Sequence, residues 1–409
     1  MRVAARAVEE RFNADTTDHS GPAVPCACGK MACFAGRRPK TFESVIGALT
    51  LLRAYYHCDS CGTGFYPRDQ RLGLSGSSLS PGVLRMVGHV GALVSFQEGH
   101  DLLHDLAGVN VSTKQVERAA ETLGHEIASD EKIIVEAPQP EQALPPTLYL
   151  GMDGTGIPMR KAELQGRAGK QEDGSSKTRE VKLVTIWSAE GRDEEGVPVR
   201  DEGSVSYSAA IESAATNDLS KTPSEFAQRV VREATRRGFE KARRHAVLGD
   251  GAPWIWNLAT EHFPNAIQIV DRFHVNEHLS KVAKAIYGST SDLGKQWTHE
   301  RCKELKNGNI DTVLAAIAIH AANEEARKCI EYIKTNRDRM RYGEFHAAGL
   351  CTSTGVVESG CKRVVAVRLK RGGMFWTVSG ANNIIALRSC RLSGRFEDFW
   401  ERRVANAVA

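Results

Sequence analysis

The chain has 409 residues, 41% hydrophobic and 25% charged, with a formal net charge of +4. That length and balance describe a globular protein of several domains, at about 100–200 residues each. They exclude a helical membrane span, because no apolar run reaches the ~18 residues one needs, and the charged start MRVAARAVEERFNADTTD excludes a secretory signal.

Residues 1–22 read as the end of a helix and a polar linker, as if the chain began inside a longer reading frame. Residues 23–75 hold five of the ten cysteines. Without a signal the compartment is the reducing cytoplasm, where clustered cysteines point to metal rather than disulfides. Cys58-Asp59-Ser60-Cys61-Gly62 is a knuckle that presents two thiolates to one Zn2+. Two of Cys26, Cys28 and Cys33 complete the set; Cys26 and Cys28 are preferred, with Cys33 in reserve. The gap between the pairs holds a β-hairpin, which predicts a zinc-ribbon-like domain. The five later cysteines read as small buried hydrophobes.

LGLSGSSLSPG, from Leu72 to Gly82, is a linker. Residues 83–130 are helical in pattern and contain a candidate helix-turn-helix. SFQEGHDLLHDLAG is its first helix, VNVS its turn and TKQVERAAETLGHEIA its second helix, capped by Ser112. Lys114, Gln115 and Arg118 lie where a recognition helix meets base edges; an ordinary helical pair is the plain alternative. Residues 131–146 carry four prolines and form a second linker.

From Thr147 onward strands and helices alternate. TLYLGMD, EVKLVTIWSA and GSVSYSAAI are strands, and a polar loop from Arg160 to Arg179 separates the first two. A helix follows, started by Thr222-Pro223-Ser224-Glu225, with Phe226, Val230, Val231 and Ala234 on one face. HAVLGD is a strand, APWIWNLATEHF a helix and NAIQIVD a strand. This order predicts a mixed sheet covered by helices. Residues 147–271 and 346–395 form the predicted core, and residues 272–345 an α-helical insertion.

Three carboxylates stand out. Asp153 and Asp250 each end an apolar run and precede Gly. Glu358 starts a helical pattern rich in cations. Hard divalent ions take oxygen ligands, and acids converging from distant segments suit a two-metal site for in-line phosphoryl transfer. Each Asp alone is a commonplace turn former; the combination predicts Mg2+-dependent chemistry on a nucleic-acid backbone. Asp271-Arg272-Phe273-His274 adds a histidine, with proton transfer, phosphate positioning and a structural hydrogen bond as its possible roles.

Bulk charge does not mark a nucleic-acid binder, but its placement does. Residues 362–371 hold five cations, Lys362, Arg363, Arg368, Lys370 and Arg371, and no acid. Residues 229–244 carry seven cations against two Glu. Both patches are candidate phosphate contacts, and the plain alternative is a solvated helix face. Phe375 and Trp376 follow as base-stacking or core residues.

These segments resemble a known family. CDSCG with the preceding RRPKTF…LTLLRAYYHC, then YLGMDGTGIPMR, GDGAPWIWNLATEHFPNAIQIVDRFHVNEHL and STGVVESGCKRVVAVRLKRGGMFWTVSGANNIIALR, are similar to the DDE transposases of bacterial insertion sequences. The resemblance is to the Kra type (the ISKra family), related to the Mutator-like and hAT-like groups. The resemblance implies an RNase H-like catalytic core with a helical insertion before the last acid. It places the three acids on Asp153, Asp250 and Glu358, and an Asp-x-x-His signature on Asp271 and His274. It further implies two Mg2+, with Asp153 bridging them and the other acids holding one each, and a structural Zn2+. The implied partners are double-stranded DNA, as element ends and target, and further copies of the chain. The implied location is the cytoplasm, on the nucleoid. A structure-specific nuclease and an inactive transposase-derived DNA-binding protein remain the alternatives.

Overall fold

The computed structural model describes residues 2–133, 144–166, 176–214 and 223–408. Most of the proline-rich linker over 131–146, the middle of the Arg160–Arg179 loop and Thr222 lie outside the described residues. The chain divides into two compact units, one of Met1–Asp130 with Ala386–Ala409 and one of Glu131–Ile385.

In the first unit, β1 (Ala23–Pro25), β2 (Met31–Ser44), β3 (Gly47–His57) and β4 (Gly64–Phe65) form an antiparallel sheet in chain order. Its apolar side chains fall into two clusters. One is Ala32, Ala54 and Tyr56 with Cys26 and Cys58; the other is Phe42, Leu49, Leu51 and Leu74. The segment before β1 opens with a helix. Helix α1 (Arg2–Ala14) docks on β3, where the Asn13 side chain bonds the Thr50 C=O at 2.9 Å and the Leu52 N–H at 2.8 Å. Asp18 is buried beyond it. Its carboxylate accepts from Arg37 at 2.5 Å, from Arg68 at 3.2 Å and from the Ala54 N–H at 2.8 Å. A buried charge is tolerated when it is paired in this way.

Helices α2 (Pro67–Arg71), α3 (Pro81–Leu93), α4 (Phe96–Ala107) and α5 (Thr113–Ile133) follow. Ser95 and Glu98 close a capping box on α4, and Gly108 ends it in the left-handed region. At the start of α5 the Ser112 hydroxyl accepts the Gln115 N–H at 3.3 Å, while the Gln115 side chain accepts the Ser112 N–H at 2.8 Å. The same reciprocal cap thus repeats at the second helix.

In the second unit the strands are β5 (Thr147–Pro158), β6 (Thr178–Trp187), β9 (Ser206–Ala210), β10 (Arg244–Gly249) and β11 (Ile267–Val270). The small hairpin of β7 (Gly191–Arg192) and β8 (Pro198–Val199) lies apart from them. The five-stranded sheet has the order β11-β10-β5-β6-β9. β5, β6 and β9 pair antiparallel, whereas β10 and β11 run parallel to β5. This is a mixed α/β fold. Buried runs such as TLYLGM account for the central strands, since strands covered on both faces lose the period-two alternation.

Ser224 caps α6 (Glu225–Arg237), which buries Phe226, Val230 and Ala234. Pro253 opens α7 (Pro253–His262) between β10 and β11. After β11 the chain is helical: α8 (Arg272–Tyr287), α9 (Asp292–Lys306), α10 (Ile310–Ala318), α11 (Glu324–Asn336) and α12 (Tyr342–Ala347). It then returns to the sheet as α13 (Gly355–Gly360), a π-helical stretch over Cys361–Ala366 and α14 (Val367–Leu369). Helices α15 (Val378–Leu392) and α16 (Phe396–Val408) complete the chain. The end of the segment expected as core, from Ala386, belongs with the first unit. There Arg403 pairs with Glu126 at 2.6 Å and Arg402 with Asp130 at 2.7 Å, tying α16 to α5.

Candidate functional site

The register of the parallel strands brings the aspartates together. Leu248 of β10 pairs with Gly151 of β5, and Gly249 pairs with Val270 of β11. Continuing the registers past the ends of β10 and β11 sets Asp250 and Asp271 in one rank with Asp153, on strands spaced about 4.8 Å apart; β5 does not stop at Asp153 as expected but runs on to Pro158. Carboxyl ends of parallel strands are where open α/β sheets place their sites. The sequence singles out Asp153 and Asp250; Asp271 as a third member of the rank becomes visible only through the pairing.

Each aspartate has a distinct environment. Asp153 is partly buried and accepts the Gly154 N–H at 2.6 Å. Burial pushes its carboxyl up; the Gly154 N–H and the Cys361 thiol pull the other way, and the neighbouring Asp250 charge adds to the rise. Asp250 accepts the Ala252 N–H at 2.9 Å through Oδ1. Asp271 is fully buried and caps α8 through the Phe273 N–H at 2.8 Å. Its other oxygen accepts from His274 Nδ1 at 3.2 Å, from the Thr354 N–H at 3.1 Å and from the Thr354 hydroxyl.

Glu358 comes back over this rank on α13. Its carboxylate and the ligand atoms of Asp271 and His274 all lie within 4.8 Å of one another. Two glycines permit that approach. A Cβ on Gly151 would stand 2.1 Å from Val357 Cγ2, and one on Gly360 would stand 2.8 Å from Leu183. Helix and sheet therefore meet backbone to backbone, and the exposed Glu358 is carried to the strand ends. The hydrogen bond that His274 donates to Asp271 raises its imidazole to about 9, against the opposing effect of burial, with the charges of Asp271 and Asp250 adding to the rise. The raised value favours the imidazolium at neutral pH.

The cationic stretch after Glu358 divides by burial. Lys362, Arg363, Lys370 and Arg371 are exposed, and Lys370 Nζ reaches the Thr155 hydroxyl, two residues from Asp153. Arg368, expected among the DNA contacts, is instead 0% exposed. Its guanidinium lies 5.4 Å from the Trp376 ring centroid and 3.6 Å from Met374 Sδ. Trp376 is also core and donates Nε1–H to the Leu369 C=O at 3.0 Å, while Phe375 stays 62% exposed. In the first unit Lys114 and Arg118 are exposed on α5. Lys114 pairs with Glu117 at 2.7 Å, and Gln115 spends its carbonyl on the Ser112 cap.

The thiols of Cys26, Cys28, Cys58 and Cys61 form a second constellation, with all four sulfurs within 4.8 Å of one another. Cys26 and Cys61 Sγ are 3.7 Å apart, as are Cys28 and Cys58. A tetrahedral ion with metal–sulfur bonds of about 2.3 Å needs sulfurs about 3.8 Å apart. The loops match in form: Cys26 N–H bonds the Lys30 C=O at 2.8 Å and Cys58 N–H the Thr63 C=O at 2.9 Å. The single residue between Cys26 and Cys28 therefore still makes a knuckle. Hydrogen bonds from the Thr63 hydroxyl and N–H, with further ones from Cys28 and Cys58, hold the Cys61 thiol down at about 6, which favours the thiolate a metal takes. Cys33 is exposed and outside the four.

Both constellations are donor sets for metal, one of sulfur and one of oxygen with an imidazole. Among the described residues, no helix is long and apolar enough to cross a membrane. A profile of the uncharacterised protein family UPF0236 matches residues 31–403. The chain belongs to UPF0236. Two UPF0236 proteins of Caldanaerobacter subterraneus subsp. tengcongensis are 26% identical over 152 and 157 residues, each match covering 36% of this chain and 31% of the relative. The matched segment thus spans about a third of the length of those curated UPF0236 relatives. Among solved structures, the Drosophila P element transposase strand transfer complex aligns at 9% identity with a TM-score of 0.27, covering 82% of this chain and 83% of that one.

Proposed function

We propose that this UPF0236 chain is the DNA-binding and catalytic part of a DDE-type DNA transposase, of the Kra type among insertion sequences. The reading rests on the rank of Asp153 within β5 and Asp250 just beyond the adjacent parallel strand β10, with Glu358 on α13 grouped with Asp271 of the same rank. The strand order β9-β6-β5-β10-β11, with three antiparallel strands followed by two parallel ones, supports an RNase H-like core.

Asp153, Asp250 and Glu358 are the ligands in this reading. Burial raises the Asp153 carboxyl and the neighbouring Asp250 charge adds to the rise; a bound divalent ion would favour its charged form. Two Mg2+ held there would supply Lewis-acid stabilisation to the entering and leaving oxygens of an in-line displacement at phosphorus. The protein's own groups bind and orient. Lys362 and Lys370 hold backbone phosphates beside the acids, the His274 cation faces the same anionic strand, and Asp271 fixes His274 and the start of α13. Cys26, Cys28, Cys58 and Cys61 hold a structural Zn2+. Helices α4 and α5 form a helix-turn-helix that offers Lys114 and Arg118 to the ends of the element. Pairing of two ends calls for at least two copies of the chain.

The test is incubation of purified protein with Mg2+ and DNA carrying the flanking repeats, followed by mapping of cuts and joints. Cuts at the repeat ends and joining to a second duplex are expected. Cutting without joining points to a structure-specific nuclease, and DNA binding without cutting to a derived DNA-binding protein. Asp250→Asn should keep DNA binding and lose cleavage; retained cleavage would sink the assignment of the acids.

A further inference from the structure

Two tyrosines of the helical segment reach the acid-bearing strand ends. Tyr332 of α11 donates its hydroxyl to the Asp250 C=O at 2.7 Å, and Tyr342 of α12 donates to the Val270 C=O at 2.9 Å, just before Asp271. Both carbonyls lie where the parallel ladder is running out, the Asp271 N–H bonding the Gly249 C=O at 2.8 Å. Backbone oxygens at that edge need donors from elsewhere.

Tyr332 does more than donate one hydrogen bond. Gly251 has φ +98°, a conformation that favours glycine, and a Cβ there would stand 2.6 Å from the Tyr332 ring and 2.7 Å from its hydroxyl. The ring thus occupies the space where any other residue would carry a side chain. His278 of α8 stacks on it, with centroids 4.1 Å apart and planes 23° from parallel. Beyond the ring lies an open groove of about 750 Å3 lined by Gly251, His278, Arg327 and Thr335, so the turn leans on Tyr332 rather than on packed core. Burial, with the charges of Asp250 and Asp271, holds the phenol above its usual value and keeps it a donor. Asp250 Oδ1 is itself tied to the Ala252 N–H, so the direction of the carboxylate follows the turn.

We propose that Tyr332 is a positioning residue of the metal site, fixing through the Asp250 carbonyl the turn that aims the Asp250 carboxylate. The helical insertion then completes the geometry of the acids as well as covering them. The proposal rests on the reading of Asp153 and Asp250 as metal ligands.

Tyr332→Phe removes the hydroxyl and keeps the ring and its stack. In the full chain without DNA, Mn2+ binding is followed by electron paramagnetic resonance, alongside hydrogen exchange over residues 249–252 and thermal melting. Tyr332→Phe should weaken Mn2+ binding about tenfold, the low end of the effect of removing an outer-shell partner, and speed exchange in the turn while melting stays near wild type. Gly251→Ala should also weaken Mn2+ binding and speed exchange in the turn, with a lower melting temperature, because its Cβ presses on the ring and φ +98° strains any residue but glycine. In cleavage, the Mg2+ needed for half-maximal rate should rise more than the maximal rate falls. Wild-type Mn2+ affinity in Tyr332→Phe overturns the proposal. If the wild type binds Mn2+ but cuts no DNA, the transposase reading fails and the tyrosine comparison still decides this one. If the wild type binds no Mn2+, the metal site and the clamp fall together.

Discussion

Asp271 stands in rank with Asp153 and Asp250, yet its carboxylate is spent on the fold. One oxygen caps α8, and the other holds His274 and the backbone and hydroxyl of Thr354. Burial raises its pKa, but these hydrogen bonds outweigh it and hold the group below the usual value. Asp271→Asn leaves buried donors facing an amide, at a cost of about 3 kcal/mol, the scale for breaking a buried pair; urea unfolding measures it. The same change should drop the His274 imidazole from about 9 towards its ordinary 6.5, followed by ring NMR during a pH titration. The sign follows from the raised value: stabilisation by His274 is complete below about 6.5 and is lost as pH rises through about 9. Cations divide at this scale too. Lys362→Ala should weaken DNA binding and reduce the salt slope by about 1, whereas Arg368→Met should leave the affinity of folded protein unchanged in anisotropy titrations, because Arg368 is buried against Trp376.

Capping chemistry explains why α4 and α5 form where the sequence places them. Ser95 with Glu98 and Ser112 with Gln115 each satisfy donors that the first helical turn leaves free. Ser112→Ala should cost about 1 kcal/mol, read from denaturant midpoints at unchanged slope. Strands β10 and β11 were equally legible, as short apolar runs that stop at an acid, whereas β5 runs on past Asp153 to Pro158. The stretch after Glu358 was not. Its spacing reads as one amphipathic helix with Arg368 outside, but Cys361–Ala366 is π-helical and turns Arg368 inwards. A wider helical turn shifts every later side chain around the axis, and no local residue pattern announces it.

For the whole molecule, the sulfur site lies in the first unit and the oxygen site in the second, so the two metals should be separable. A thiol-reactive or zinc-selective chelator should melt the Cys26–Cys61 region and abolish sequence-specific DNA binding, because structural zinc contributes folding free energy directly. Elemental analysis should find about one zinc per chain before treatment and none in Cys58→Ser. Circular dichroism near the unfolding transition should then show an early loss confined to part of the signal.

Candidate residues for chemistry stand out in the sequence because their signals are local. A thiol pair in a tight turn, an acid ending an apolar run and a cap before a helix each involve a handful of neighbouring residues. The succession of strands and helices along the core was readable for the same reason, as alternating periods. What only the tertiary structure decided is which distant groups meet. Strand register set Asp271 beside Asp250, close helix–sheet approach over Gly151 and Gly360 brought Glu358 to Asp271 and His274, and α11 carried Tyr332 to the Asp250 turn. Register and packing are set by contacts between segments far apart in the chain, which composition and spacing within one segment do not encode.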